Sequence, residues 1–197
     1  MKKVAIYIDG ENFALDNYCL NLKSKVWVCN FYFSVKKKFN CKVDIGKFCE
    51  KLVGDNDLVK INYYIAPIEQ QINPKMYTEQ QRFFEKLRKI KNLKIIFGRL
   101  EKRKRDGEVY FIEKATDVNL ALDLVLDAQS NDYDLAYLIS NDGDFSGAVK
   151  AVVERFNKEV TYVAIGNNRM ISHHLEKIST KSFRVDQNFI NKVKLWR

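Results

Sequence analysis

Four short runs rich in β-branched and aromatic residues are separated by stretches with helical spacing, and this alternation constrains the fold most strongly. The runs are Val4–Asp9, Leu58–Ala66, Leu135–Ser140 and Val160–Ile165. Apolar strands of this kind are typically buried on both faces, as in a parallel sheet. Strands that alternate with helices place those helices on both sides of the sheet. The sequence therefore predicts an α/β fold with a mainly parallel central sheet.

The length and composition fit one domain. The chain has 197 residues, against about 150 for an average domain, so we expect a single domain over residues 1–197. No apolar run approaches the ~18 residues of a membrane span. The short run after Met1–Lys3 lacks the length and the cleavage site of a signal peptide. We therefore expect a cytoplasmic protein that does not enter the membrane.

Cysteine and histidine provide no metal-binding pattern. The two histidines, His173 and His174, are adjacent, and the four cysteines have no C-x-x-C spacing. Scattered thiols in such a chain are most often small buried side chains. A zinc site and a disulfide framework are both disfavoured. The cysteines are Cys19, Cys29, Cys41 and Cys49.

Charge is distributed very unevenly along the chain. The net charge is +9, but residues 60–105 hold 13 basic and 4 acidic residues, whereas residues 106–144 hold 1 basic and 10 acidic residues. A dense basic region fits a polyanionic partner, and a dense acidic region fits cations or a catalytic acid cluster. The alternative is a pair of solvated helix faces of opposite sign.

Many of the basic residues fall on a predicted hairpin. Leu93–Arg103 is predicted as one strand, and Val109–Ile112 as its partner across the tight-turn pair Asp106-Gly107. These cations fit the phosphate backbone of a nucleic acid, or they protect an edge strand from aggregation. A second candidate is Lys36–Lys38, beside aromatics that either stack on bases or pack in the core. The candidate backbone-binding residues are Arg99, Lys102, Arg103, Lys104, Arg105 and Lys114.

Acidic residues follow the predicted strands at their carboxyl ends, where open parallel sheets bind ligands. Each has a structural alternative, because Asp144 fits a helix cap, Asp117 a first helical turn and Asp9 a turn. Together they are harder to explain structurally, since two carboxylates 4 Å apart repel by about 4 kcal/mol at an effective dielectric of ~20. The candidate ligands are Asp9, Asp117, Asp142 and Asp144, with Asn12 as a neutral oxygen donor.

A bound divalent cation would remove this repulsion, and a set of oxygen ligands favours Mg²⁺ or Mn²⁺ over zinc. Such an ion activates water and stabilises the leaving oxygen in phosphodiester hydrolysis. The sequence contains no nucleophile elbow, no P-loop, no dinucleotide-binding glycine loop and no H-E-x-x-H motif. The run Asp9-Gly10-Glu11-Asn12-Phe13 also lacks the D-x-D-x-[TV] pattern of an aspartyl-phosphate phosphatase.

A helix is predicted to begin at Thr116 or Asp117 and to continue to about Ala128. Asp123 comes six residues after Asp117, about 600° around the helix, so it lies off the face of Asp117. We therefore expect Asp123 to act at most indirectly, behind the ligands. The residues expected to face inward are Val118, Leu122 and Val125.

Three motifs, in order along residues 2–166, resemble the NYN domain family, a branch of the PIN-like nucleases. They are Tyr7–Asn12, Glu113–Asp123 and Ser140–Phe145. The resemblance implies a three-layer α/β/α, PIN-like (Rossmann-like) fold and a divalent-metal-dependent ribonuclease. It also implies that Asp9, Asp117, Asp142 and Asp144 bind the metal, with Asn12 and Ser140 positioning ligands. One departure is Ala115, where the family often has glycine.

The sequence thus predicts a ribonuclease that uses Mg²⁺ or Mn²⁺ to hydrolyse single-stranded or loop RNA. An inactive RNA-binding or regulatory module that keeps the acidic pocket is the alternative of a different class. A DNA-directed nuclease on the same fold differs only in its substrate. The oligomeric state is left open, with a homodimer among the forms that the sequence allows.

Overall fold

The computed structural model describes residues 1–10, 43–105, 108–166, 168 and 171–195. Several features discussed above lie outside these residues or depend on side chains outside them. They are Asn12, the aromatic and basic stretch at 31–39, the Asp106-Gly107 turn and the side chain of Arg105. Within the described residues, no helix has the length and apolar character needed to cross a membrane.

Six parallel strands form the central sheet, and two further strands form a separate antiparallel ribbon. The sheet order is β3-β2-β1-β6-β7-β8, and the ribbon pairs β4 with β5. The predicted parallel sheet is therefore confirmed. The strands are β1 (Lys3–Asp9), β2 (Asp57–Ile65), β3 (Leu93–Phe97), β4 (Arg99–Arg105), β5 (Glu108–Lys114), β6 (Leu135–Ile139), β7 (Glu159–Ala164) and β8 (Lys181–Arg184).

Helices cover both faces of this sheet. Alternate side chains of β1 enter two separate cores, with Ile6 in one core and Tyr7 in the other. The first core receives α1, α2 and α6, and the second receives α3, α4 and α5, so the three-layer arrangement is confirmed. The helices are α1 (Ile45–Val53), α2 (Pro74–Leu87), α3 (Thr116–Gln129), α4 (Ser146–Phe156), α5 (His173–Ile178) and α6 (Gln187–Val193).

The strand order places a switch point between β1 and β6. From β1 the chain proceeds outward through β2 and β3, and it then returns to add β6, β7 and β8 on the other side. Ligands of open α/β sheets bind at the carboxyl ends of the strands beside such a point. The carboxyl ends here carry Asp9 on β1 and the segment 140–144 after β6.

The predicted inward face of α3 is wrong at Val118 and Leu122 and right at Val125. Val118 and Leu122 are 60% and 52% exposed, whereas Val125 is partly buried against the second core and Leu120 and Leu124 are buried. The tyrosine hydroxyls of the sheet explain the difference, because they are buried and need acceptors. Tyr64 donates to Asp123 Oδ2 at 2.8 Å and Tyr7 to Asp127 Oδ2 at 2.6 Å, which fixes the rotation of the helix.

The prediction of one strand over Leu93–Arg103 is also wrong. The chain leaves the sheet at Gly98, and β3 and β4 belong to different sheets. A Cβ at Gly98 would lie 2.6 Å from the Lys114 carbonyl oxygen and 2.7 Å from Thr116 Cγ2. This crossing of chains brings the base of the ribbon against the start of α3, which positions the candidate site.

Candidate metal centre

Asp9 is buried at the end of β1 and is held by Ser140. The residue is 3% exposed, and the Ser140 hydroxyl donates to Asp9 Oδ2 at 2.8 Å. The same hydroxyl oxygen accepts the Asp142 backbone N–H at 3.0 Å. One serine therefore links the ends of two neighbouring strands and sets the start of the Asp142 segment.

Asp142 and Asp144 lie in a 3₁₀ turn, Gly143–Phe145, that leads into α4. Asp142 caps this turn, since its Oδ1 accepts the Asp144 N–H at 2.9 Å. The start of α4 has no side-chain cap. The cap that the sequence suggested for Asp144 is therefore provided by Asp142 instead. The exposed carboxylate of Asp144 does not cap a helix.

Asp117 stands in the first turn of α3 and interacts electrostatically with the Asp142 segment. Partial burial raises its pKa, and the nearby carboxylates of Asp142 and Asp144 raise it further. Burial and the like charges of Asp142 and Asp144 both disfavour the charged form of Asp117, and a cation bound among these carboxylates would favour it. The α3 start and the β6 end thus present their acids to one another.

Glu113 adds a carboxyl group that the sequence analysis did not single out. Its Oε1 accepts the Ala66 backbone N–H at 2.9 Å, which ties the end of β5 to the end of β2. Burial raises the pKa of Glu113 to about 7, with a further contribution from Asp117. Its position at a strand end, four residues before Asp117, is the signal that could have identified it.

Asn141 is a second group that the sequence analysis missed. Asn141 follows Ser140 in the sequence and its side chain is buried. Its Nδ2 donates to the Ile165 carbonyl oxygen. Its Oδ1 accepts the Tyr162 hydroxyl at 2.8 Å. The amide therefore fastens the acidic turn to the end of β7. An amide inside a strand-end S-N-D-G-D run is the pattern that points to this role.

Asp123 lies on the inner side of α3, away from Asp117. Its contact is with the hydroxyl of Tyr64, which also accepts from Asn62 Nδ2 at 3.0 Å. Tyr64 is paired with Asp9 in the β1–β2 register. Asp123 is thus connected to the neighbourhood of Asp9 through one strand, and it supports the sheet beneath the acids.

Gly10 permits the close approach of β1 to β2 directly after Asp9. Its N–H donates to the Tyr64 carbonyl oxygen at 2.7 Å. A Cβ there would lie 2.2 Å from Tyr63 Cε1 and 2.6 Å from the Tyr64 oxygen. The second contact is with backbone, which cannot rotate out of the way, so this position requires glycine.

Replacing Gly10 by alanine is therefore expected to destabilise the fold. Overpacking of a well-packed region typically costs about 1–3 kcal/mol, and the free energy of unfolding from urea titration should fall by about 2 kcal/mol. Gly147→Ala is the matched control, because a Cβ at Gly147 meets nothing within 4 Å. An unchanged unfolding midpoint for Gly10→Ala would contradict this account of the turn.

The departure from the family pattern at Ala115 has a structural cost. Ala115 has φ +75° in the left-handed region, directly before α3. That conformation costs a non-glycine residue roughly 1–2 kcal/mol. Replacing the residue by glycine would relieve this strain, but the greater conformational freedom of glycine in the unfolded chain would offset the gain by about 0.4–1 kcal/mol.

Ala115→Gly is accordingly expected to stabilise the protein by about 0.5–1 kcal/mol. Ala121→Gly, inside α3, should do the opposite and cost about 0.5–1 kcal/mol. Urea unfolding of the two variants measures the sign directly. A loss of stability in both variants would show that the left-handed position is not strained.

The four predicted acids do not form a complete cage. Within the described ranges, no three His, Cys, Asp or Glu side chains converge closely enough to hold a metal ion, and Asn12 lies outside those ranges. Mg²⁺ normally keeps several waters and takes one or two protein carboxylates. The oxygen-only donors and the repulsion at Asp117 fit an ion held in that way.

The ribbon displays most of the predicted cations. Arg99, Lys102, Arg103, Lys104 and Lys114 all have exposed side chains, in two strands paired from Arg99–Lys114 to Arg105–Glu108. Arg103 Nη2 lies 2.7 Å from Glu101 Oε1. The base of the ribbon is adjacent to Asp117 in sequence, so these cations begin beside the candidate centre.

Comparison with solved structures supports the fold. A protein of unknown function from Vibrio parahaemolyticus superposes with a TM-score of 0.66 at 24% identity, covering 98% of this chain and 96% of that one. Burkholderia thailandensis nucleoside kinase, in complex with inosine, gives a TM-score of 0.33 at 7% identity, covering 92% of this chain and 60% of that one. The latter similarity is too low to support an argument.

The comparison with curated proteins returned no match. The comparison with protein families did return one, a model described as NYN domain, which matches residues 3–186. This range includes all three motifs and every strand of the central sheet. A nuclease-like role and a PIN-like fold follow from that match. The chain belongs to the NYN domain family.

Proposed function

We propose that this chain, taken as one domain over residues 1–197, is a divalent-metal-dependent ribonuclease acting on single-stranded or loop RNA. The crowding of carboxylates at the switch point carries the proposal. Asp117 faces Asp142 and Asp144 with a raised pKa, and Asp9 is joined to Asp142 through Ser140. Such a cluster is expensive without a cation and well suited to one.

Each residue of the proposed centre has a defined task. Asp9, Asp117, Asp142 and Asp144 would hold one or two Mg²⁺ or Mn²⁺ ions, and Asn12 would contribute an amide oxygen. Ser140 orients Asp9, and Asn141 holds the acidic turn in place. When bound, the cation supplies positive charge at the scissile phosphate and makes water a better nucleophile.

A second candidate is an RNA-binding module without turnover. The exposed cations of the ribbon favour it, because they can bind phosphates whether or not the acids hold a metal ion. This module would bind RNA through the ribbon with steep salt dependence. It would not cleave RNA in the presence of any metal ion, and its RNA binding would survive Asp142→Asn.

Cleavage of labelled RNA and DNA oligonucleotides in Mg²⁺, Mn²⁺ or EDTA distinguishes these functions. Wild-type protein should cleave RNA in Mn²⁺ or Mg²⁺ and not in EDTA, and Asp142→Asn should abolish cleavage while the fold stays intact. Asp132→Asn is the matched control, since Asp132 is exposed and pairs with Lys60. Equal cleavage by wild type and Asp142→Asn would refute the proposed site, and preferential cleavage of DNA would refute the proposed substrate.

A further inference from the structure

The two faces of the β4–β5 ribbon differ in what they contact. Residues directly opposite one another in an antiparallel pair lie on the same face, so the register divides the ribbon into an inner and an outer face. The inner face begins with the pair Leu100–Glu113. The outer face holds the pairs Arg99–Lys114, Glu101–Ile112 and Arg103–Tyr110.

The inner face is closed at its base by the body of the protein. Leu100 packs against the cluster of Ile68 and Met76 at the start of α2. Glu113, its partner, accepts the Ala66 N–H. A phosphate approaching this end of the ribbon would meet packed apolar side chains and a carboxyl group. The inner face therefore cannot lead a nucleic acid to the carboxylates of the candidate centre.

The outer face lies on the opposite side of the ribbon from that contact, and its basal end is close to Asp117 in sequence. Its last residue, Lys114, is exposed and stands three residues before Asp117. Arg99 and Arg103 are also exposed, and Tyr110 and Ile112 are half-buried beside them. Arginine offers a planar fork that fits phosphate oxygens and also stacks on rings.

The ion pair on this face does not prevent Arg103 from binding phosphate. Arg103 and Glu101 retain 50% and 36% of their side-chain exposure. Exposed pairs of this kind contribute little to stability, since water and salt screen them. A phosphate therefore competes with Glu101 at low cost, and Glu101 meanwhile keeps the guanidinium on the outer face.

We infer that the outer face binds a single strand of RNA, with Arg99, Arg103 and Lys114 on phosphates and the Tyr110 ring stacked on a base, and guides it to the acids. This inference rests on the proposed function and adds which face of the ribbon, and which side chains, bind the unpaired strand. Stacking on a side chain requires a base that is free of its neighbours, and bases in a duplex are not. Duplex RNA should therefore bind more weakly than single strands of the same sequence.

Fluorescence anisotropy in EDTA tests the assignment without cleavage. The probe is a labelled 12-nucleotide RNA, single-stranded or annealed, and each substitution is made in the wild-type and the Asp142→Asn proteins. Tyr110→Leu should weaken single-strand binding about tenfold, and Tyr110→Phe, which keeps the ring, should restore it. Arg103→Ala should weaken binding and reduce the slope of log affinity against log salt by about 0.7, the value for one phosphate contact on a single strand.

Lys104→Ala, on the inner face, removes the same charge as Arg103→Ala and should weaken binding much less. Lys181→Ala, at the start of β8 on the far edge of the sheet, should leave it unchanged. Equal losses in the Arg103 and Lys104 variants, or equal affinity for duplex and single strand, would overturn the inference. Failure of the proposed function is seen separately, as absence of cleavage in metal while outer-face variants still lose binding.

Discussion

Asp9→Asn is expected to lower metal-dependent RNA cleavage about a thousandfold, equivalent to roughly 4 kcal/mol of transition-state stabilisation. Asp9 is buried at the switch point and is joined through Ser140 to the backbone of Asp142. Asparagine keeps the shape and one oxygen that can accept from Ser140, and it loses only the charge. The variant therefore removes a proposed ligand without opening a cavity.

Stability distinguishes this loss of activity from misfolding. Because asparagine keeps the side-chain volume and an oxygen for the Ser140 hydroxyl, the thermal midpoint should stay close to that of the wild type. Ser140→Ala should cost roughly 10–100-fold in cleavage, the usual effect of losing a group that orients a metal ligand. A kinetic assay in Mn²⁺, with the thermal midpoints of all variants, measures both effects. Full activity of Asp9→Asn would exclude Asp9 as a ligand.

Glu113 is expected to make the protein less stable as the pH rises from about 4.5 to about 7. The carboxyl has an ordinary pKa of 4.5 and one of about 7 in the folded protein, chiefly because it is buried. Between these values the folded state holds a proton that the unfolded state has released, so raising the pH favours unfolding. Through this one group, the free energy of unfolding above pH 7 is lower by about 3 kcal/mol than it is below pH 4.5.

Glu113→Gln should remove this pH dependence. Glutamine keeps an oxygen that can accept the Ala66 N–H and carries no charge at any pH. Its free energy of unfolding should match that of the wild type near pH 4.5 and exceed it by about 3 kcal/mol at pH 8. Urea unfolding in EDTA at the two pH values gives the comparison, with Glu154→Gln on the exposed side of α4 as control. If the free energies of unfolding of Glu113→Gln and the wild type differed by the same amount at both pH values, Glu113 would not be a buried acid with a raised pKa.

The central sheet was predictable because its strands are apolar on both faces. The run Val4–Asp9 sends Ile6 and Tyr7 into opposite cores, and sequence shows that pattern directly. The rotation of α3 was not predictable by ranking hydrophobic residues. Buried tyrosine hydroxyls on two strands require acceptors, and Asp123 and Asp127 supply them while Leu122 faces solvent.

The sequence could predict which strand ends form the candidate site. It could not predict the hydrogen bonds that connect the residues of the site. Asp9 and Asp142 follow recognisable strands, so their edge of the sheet could be named. Glu113 and Asn141 acquire their roles only through contacts with Ala66 and Ile165, which are 47 and 24 residues away in sequence. The break at Gly98 is likewise set by a tertiary contact with Lys114.

Titration of Mn²⁺ into the metal-free protein, followed by the loss of the free-ion electron paramagnetic resonance signal, tests the central claim most directly. The claim is that Asp9, Asp117, Asp142 and Asp144 hold a divalent cation. Wild type should bind Mn²⁺ saturably, and Asp142→Asn should bind it at least about tenfold more weakly, whereas Asp132→Asn should bind as the wild type does. Equal Mn²⁺ affinity in wild type and Asp142→Asn would contradict the account.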